Sequence, residues 1–320
     1  MAGRIALTGG AGFVGGAIAQ ALAARGDDVI ALVRDRDRPG GLTETDATVV
    51  SDDLSDVRRL VGAFMTADAV IHAAGSYRIG IPASERDAMW DANVGTTTRV
   101  LDAAISAGVP RVVYVSTANA FGNTRGKVVD ETYRRNLADG FVSWYDETKY
   151  RAHEVAETRI AAGAPIVVVM PSQVYGPGDH SAFGEQLAAA HAGKLKYLAL
   201  GDVGVGLVHV DDLAAGILAA LDRGVIGRDY VLSGPLTTLA GAVTVAARLG
   251  GHSPPRIRVP SGLLRAMAPL GQFIGQPNLR EVVSAGSGVT YWASADRAGE
   301  ELDWRARDIE TGLRDTFAGA

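Results

Sequence analysis

The segment Thr8-Gly9-Gly10-Ala11-Gly12-Phe13-Val14-Gly15 limits the choice of fold more than any other part of the chain. It joins a short apolar run at residues 4–7 to an Ala-rich stretch, 17–25, that reads as a helix closed by Gly26. Residues without a Cβ allow positive φ and close backbone approach, and the helix that follows offers free N–H groups and partial positive charge to an anion. Two registers fit, Gly10-x-Gly12-x-x-Gly15 and Gly9-x-x-Gly12-x-x-Gly15. Both predict a seat for the pyrophosphate of a dinucleotide. The competing reading is a tight turn with no ligand, and the flanking strand and helix weigh against it.

Further strand and helix patterns alternate behind this loop. Apolar runs at 29–33, 69–72, 112–115 and 166–170 read as strands, and 54–67, 85–107 and 144–161 as helices, the last two ended by Gly and Pro. The strands are continuous apolar runs rather than alternating ones, as in a parallel sheet covered on both faces. The expected fold is α/β, a doubly wound parallel (Rossmann) sheet with a smaller, discontinuous C-terminal substrate domain. After Pro171 the texture changes. Helices are expected in 172–206 and at 211–221, with a strand at 230–232, and Pro254, Pro255, Pro260, Pro269 and Pro277 break up the rest. The division is 1–171 and 207–233 for the nucleotide-binding domain, and 172–206 and 234–320 for the cap.

The end of the second strand should read the adenosine ribose, where an acidic residue would favour NAD. Here Val33 is followed by Arg34-Asp35. A guanidinium suits a 2′-phosphate, so NADP(H) is expected over NAD(H), with Asp35 on the ribose as the alternative. Further on, Tyr145 and Lys149 stand at i and i+4 on one helix. A cation beside a phenol would lower its pKa from about 10 towards the range of an acid–base catalyst. The chain has only four lysines, Lys127, Lys149, Lys194 and Lys196, so this placement is informative. Ser116 and Thr117 end the preceding strand, where a hydroxyl could hold a carbonyl oxygen; a local turn bond is the plainer alternative.

These pieces resemble the extended short-chain dehydrogenase/reductases over essentially the whole chain, and within them the dihydroflavonol-reductase-like branch. The resemblance rests on the ordered set of the glycine loop, Asp53-Leu54, His72-Ala73-Ala74-Gly75, Asn93-Val94, Tyr114-Val115-Ser116-Thr117, Tyr145-x-x-x-Lys149, the run from Pro171 to Asp179, and Val208-His209-Val210-Asp211-Asp212. It implies that Thr8, Gly9, Gly12, Phe13, Val14 and Gly15 cradle the dinucleotide and that Asp53 and Leu54 meet the adenine. Ala73, Ala74 and Gly75 would line its middle, and Pro171, Gln173 and Val174 would pass beside the nicotinamide. Thr117 would be the catalytic hydroxyl, with Ser116 its neighbour, and Lys149 would also grip the cofactor ribose. Tyr77 and Gln173 would join Thr117 and Tyr145 around the substrate. Arg78, Trp90 and Tyr175 are further candidates for pocket wall. The resemblance also implies a homodimer through a four-helix bundle of 85–107 and 144–161. The sequence departs from sugar-nucleotide epimerases in lacking an arginine at Val205-Gly206-Leu207 and an acid at Val33.

Composition removes other classes. No cysteine means no disulfide, thiolate nucleophile or zinc–thiolate site, and fits a cytoplasmic protein. The net charge of −5 and the lack of a visible basic stripe argue against nucleic-acid or membrane partners. No apolar run reaches ~18 residues, and glycines break the N-terminal apolar stretch as a signal peptide would not allow. The six histidines show no ligand spacing, so no metal is expected. The expected activity is hydride transfer between NADP(H) and a carbonyl or secondary alcohol of a small molecule. A sugar or sugar-nucleotide epimerase/dehydratase is the alternative, and a non-catalytic dinucleotide sensor the remote one.

Overall fold

A computed structural model describes residues 3–269 and 278–318; Pro277 lies outside them. Its strands in chain order are β1 (Arg4–Thr8), β2 (Asp28–Val33), β3 (Thr48–Ser51), β4 (Ala69–His72), β5 (Val112–Val115), β6 (Ile166–Pro171), β7 (Gln173–Tyr175), β8 (Tyr197–Ala199), β9 (Gly204–His209), β10 (Asp229–Leu232), β11 (Leu236–Thr238) and β12 (Ile257–Val259). The apolar runs form one seven-stranded sheet, β10-β6-β5-β4-β1-β2-β3, with every pair parallel. The chain winds outward from β1 to β3, then restarts at β4 on the other flank of β1. At that reversal the loops leaving β1 and β4 diverge and open a crevice at the carboxyl ends of the strands.

Helices cover both faces, which is why the strands are apolar throughout. The first helices are α1 (Phe13–Arg25), α2 (Val57–Phe64), α3 (Arg86–Trp90), α4 (Thr96–Ser106), α5 (Trp144–Ala161), α6 (Ala182–His191) and α7 (Val210–Arg223). One core joins Leu60 and Phe64 of α2, Val100 of α4 and Ala152 of α5 to the sheet; the other is built from Ile18 and Leu22 of α1 with Leu213 and Ile217 of α7. The sheet edge at β10 is closed by a side chain: the Val231 N–H donates to Glu131 Oε1 at 2.8 Å, and burial raises the Glu131 carboxyl above its ordinary range.

The rest of the chain forms α8 (Leu239–Leu249), α9 (Ser261–Met267), α10 (Leu279–Gly286), α11 (Asp296–Leu302) and α12 (Ile309–Phe317). A three-stranded sheet, β11-β9-β7, and the parallel pair β12-β8 stand over the crevice, backed by a third core containing Leu187, Val243 and Leu313.

The sequence reading differs from this fold in places with clear causes. α1 begins at Phe13 rather than residue 17, because Gly15 and Gly16 lie buried inside it. A Cβ on Gly15 would sit 2.0 Å from the Gly9 carbonyl, so the helix can approach the loop only through glycine. β3 was not expected; it is a short edge strand, half-exposed, with weak patterning. The helix expected at 54–67 is confined to Val57–Phe64: Leu54 adopts φ +61 and Asp56 caps the first turn. The boundary between domains also differs. Residues 296–304, assigned above to the cap, pack on the nucleotide-binding face, where Ala298, Leu302 and Trp304 join the core with Ile217 and Tyr230. The Trp304 indole N–H donates to the Asp212 carbonyl at 2.8 Å, and short helices carry no sequence mark of the layer they join.

Trp304 therefore fastens the C-terminal segment to α7. Replacing it with alanine should cost about 3–5 kcal/mol of unfolding free energy in urea titration. A loss under about 1 kcal/mol would show that this docking contributes little.

Candidate active site

The crevice is about 1100 Å³ and runs from β2 across β1 and β4 to β6. At its centre the loop after β1 decides between the two glycine registers. Gly9 has φ +80, and a Cβ there would lie 2.7 Å from the Ala74 nitrogen. Gly12 opens on the crevice and caps α1 without a side chain, leaving the first-turn N–H groups exposed to a ligand. Gly10 instead faces Leu42 and is absent from the lining. The working register is Gly9-x-x-Gly12-x-x-Gly15, with Phe13 and Val14 on the same wall. The cradle would be filled by any Cβ and fits a pyrophosphate.

At the adenosine end Arg34 lines the crevice and makes no ion pair among the described residues, whereas Asp35 is turned to Arg38 (3.7 Å) and accepts from the Asp37 N–H. Asp53 and Leu54 line the far wall. The turn is held by Asp52, which accepts from the Leu54 N–H at 2.7 Å, and by Arg99, which donates to the Leu54 carbonyl. Ser55 donates twice to Asp53 and holds its carboxyl below the usual range.

Ala73, Ala74 and Gly75 line the middle of the crevice. Their loop is fixed by Asn93, which sits where the helix from Arg86 to Ser106 widens into a π-turn over Asp91–Gly95. The Asn93 Oδ1 accepts from the Ser76 N–H, and its Nδ2 donates to the Ser76 carbonyl and to Thr148 Oγ1 of α5. Such π-turns recur at functional sites. Thr8 is the exception among the expected contacts: it is fully buried, bonded to His72 Nδ1 at 2.7 Å, and does not reach the crevice. The cause is its place on β1, one residue before the chain turns.

The last third of the crevice gathers Ser116, Thr117, Tyr145, Lys149, Pro171, Gln173 and Val174. The Tyr145 phenol and Thr117 line the same stretch of the crevice, and the Tyr77 ring meets the tyrosine edge-on at 4.8 Å. Ser116 is bonded to His153 Nδ1 at 3.1 Å, and Thr117 makes the local turn bond, its Oγ1 accepting from the Asn119 N–H at 3.2 Å and donating to the Pro171 carbonyl at 3.4 Å. His153 continues the stripe of Tyr145 and Lys149 down α5, and its Nε2 faces Glu157 and Asp229 at 3.8 Å each. Burial lowers the His153 pKa to about 4, so the ring is neutral.

The expected depression of the Tyr145 pKa is not found. Burial, followed by the neighbouring Tyr77, pushes the phenol above its ordinary value, with Thr117 opposing. The Lys149 Nζ stands over the Tyr114 ring, 5.8 Å from the centroid, beside Gly75. The lysine itself is buried with no carboxylate partner among the described residues, and burial lowers it to about 8.

Three anchors the sequence did not disclose pin the first turn of α5, which carries Tyr145. Ser143 caps it, Arg135 grips the buried Asp146 through both nitrogens at 2.7 and 3.0 Å, and the Trp144 N–H donates to Glu281 of α10. Of the other wall candidates, Arg78 lines the mouth in an ion pair with Glu85, while Tyr175 is buried under Gly312 and Trp90 leans on Trp144. Beyond Tyr77 and Gln173 the crevice opens into a second cavity of about 1210 Å³ beneath the cap, walled mainly by apolar side chains such as Ile79, Ile81, Phe183, Leu239 and Val282.

This fold and constellation define a dinucleotide-dependent enzyme of the Rossmann class. Residues 5–233 match the family described as NAD dependent epimerase/dehydratase, and the chain belongs to that family. It is 30% identical to a dihydroflavonol 4-reductase-like protein of Synechocystis sp. across 98% of this chain and 94% of that one. It is 25% identical to a 2-alkyl-3-oxoalkanoate reductase of Stenotrophomonas maltophilia, covering 97% of both. The crystal structure of gox2253 superposes with a TM-score of 0.85 at 30% identity, over 98% of this chain and 97% of that one. The UDP-glucose 4-epimerase of Thermotoga maritima shares the fold, with a TM-score of 0.80 at 21% identity over 98% and 97%.

The unpaired ammonium gives a prediction with a sign. Its folded pKa lies below the ordinary 10.5, so the charge opposes folding: the cost is full below about pH 8 and fades as pH rises to 10.5. Lys149→Met should therefore stabilise the free protein at pH 7 by up to about 3 kcal/mol while removing turnover. Melting curves that show no gain, or a gain unchanged between pH 7 and pH 10.5, would contradict this origin.

Proposed function

We propose that the protein is an NADP(H)-dependent reductase of a ketone or aldehyde carbonyl on a largely apolar small molecule. The observation that carries this is that Tyr145 and Thr117 line the dinucleotide crevice, with Tyr145 packed against Tyr77, whose side chain borders both that crevice and the apolar cavity. The relatives named as reductases over nearly their whole length support it. A bound nicotinamide would supply the hydride for the carbonyl carbon. Thr117 and Tyr145 would hold the carbonyl oxygen, and Tyr145 would give it a proton. The phenol, raised by burial, carries its proton at neutral pH. Lys149, in reach of the Gly75 loop, would grip the ribose, and Asn93 would keep that loop in place. Gln173 and Tyr77 border both cavities and would orient the substrate.

The NADP preference belongs to the same proposal. It is supported by Arg34 lining the crevice while Asp35 is occupied with Arg38. The epimerase reading is favoured by the fold shared with the UDP-glucose enzyme. Against it, the positions at Val205 and Leu207 are buried apolar residues of β9 rather than an arginine and Arg78 is committed to Glu85, so among the described residues the unpaired cations of the cavity are Lys194 and Lys196 at its rim. The sensor reading loses ground because Tyr145 and Lys149 both reach the crevice. We further propose a cytoplasmic homodimer through the helices at 85–107 and Trp144–Ala161, with the part-exposed Trp90 and Ile105 in its interface. Among the described residues no helix is long and apolar enough to cross a membrane.

Two substitutions test the reading. Tyr145→Phe should lower kcat about 10²–10⁴-fold on any carbonyl the wild type reduces, with NADPH still binding; undiminished turnover would remove the phenol from the chemistry. Arg34→Ala should weaken NADPH about 10- to 100-fold and leave NADH nearly unchanged, read by fluorescence titration. Equal affinity of the wild type for both cofactors would refute the role given to Arg34.

A further inference from the structure

The charge of this protein is segregated in a way that the net value conceals. Residues 186–201 and 230–280 contain no Asp or Glu, although the chain has 36. They carry seven of its 31 cations, Lys194, Lys196, Arg248, Arg256, Arg258, Arg265 and Arg280. The fold brings the two stretches together, since β8 pairs with β12 and Tyr197 stands opposite Ile257. Lys194, Lys196, Arg256 and Arg258 are exposed and form no ion pair among the described residues. Interleaved with them are large apolar side chains open to solvent: Tyr197 at 59%, Ile257 at 64% and Leu263 at 52% exposure. Leu198, the neighbour of Tyr197, is buried, so the strand turns its aromatic residue outward. The patch is also the rim of the apolar cavity, into whose lining Lys194, Lys196, Tyr197 and Leu264 enter.

We propose that this rim docks on an anionic lipid surface and lets an apolar carbonyl compound pass from the bilayer into the cavity. The cations match acidic headgroups, and the Tyr, Ile and Leu side chains match the headgroup–acyl boundary. Neither segment contributes an acid to this face; the acids that line the cavity are Glu85, paired with Arg78, and Glu185. Continuity with the cavity gives the docking a purpose: a ligand entering at the rim would pass along its mainly apolar wall to Tyr77. Docking stands on the patch alone, and only the passage of substrate rests on the reductase reading.

Sedimentation of the full chain with vesicles, without substrate, tests it. Phosphatidylcholine vesicles with about 30% phosphatidylglycerol should pull the protein down at about 0.1 M salt, and pure phosphatidylcholine should not. The variant K194Q/K196Q/R256Q/R258Q should lose at least about 100-fold in partitioning, with its melting temperature and NADPH affinity kept as proof of folding. Y197S/I257S should weaken binding that salt alone does not abolish. Wild type left in the supernatant with both vesicles overturns the proposal, as does a charge variant that still sediments. A change of oligomeric state in the charge variant, seen by light scattering, would also overturn it by making the face a contact between two copies. Failure here leaves carbonyl reduction in solution untouched, so the two readings are separable.

Discussion

The site depends on a backbone contact, that of Gly9 with Ala73 and Ala74 at the ends of β1 and β4. β1 and β4 are neighbours in register, Thr8 opposite His72, so their following loops leave the sheet side by side. They can diverge into a crevice only if the first turns at once, and φ +80 at Gly9 makes that turn. A side chain there would push α1 away from β4 and widen the seat for phosphates. Beneath it the same junction is sealed by polar groups: His72 lies between Thr8 and Thr97, neutral because burial lowers its pKa to about 3. Thr8 contributes to the crevice from below, by holding its floor.

The other end of the site is built on a helix rather than a loop, and the cap takes part in holding it. Glu281 of α10 accepts from the Trp144 N–H, while Arg135 holds Asp146. Tyr145 therefore lies between an anchor on the sheet side and one on the cap side. A shift of the cap would be felt at the phenol through a single hydrogen bond. The buried ammonium of Lys149, four residues on, is a cost placed inside an otherwise well-satisfied helix. Sites of this kind are where stability gives way to function.

What the sequence disclosed was local. The glycine loop, the strand ends at Arg34 and Thr117 and the Tyr145–Lys149 pair are each read within a few residues, and α5 has the bounds its pattern predicts, Trp144–Ala161. What it concealed was distance. Ser116 and His153 are 37 residues apart, and nothing in either segment announces that the two side chains meet. The π-turn at Asn93 keeps an unbroken helical pattern, so the residue can be recognised but not its work. Residues 296–304 look like any cap helix until Trp304 is seen to pack against α7. Net charge failed in the same way, averaging two acid-free segments into an acidic chain.

The two shifted groups on α5 also fix the order in which the site titrates. Were the phenol lowered below the ammonium, Tyr145 would be the first to lose a proton as pH rises. Burial reverses this, because it penalises whichever form is charged: the anion of tyrosine and the cation of lysine. Tyr145 moves up and Lys149 down to about 8, so the lysine is the first to change state above neutrality. A proton is thus held on the phenol across the range in which the ammonium keeps its charge. In the free protein, the group that limits the site on the alkaline side is the one that would bind the ribose, and the proton donor stays loaded past it.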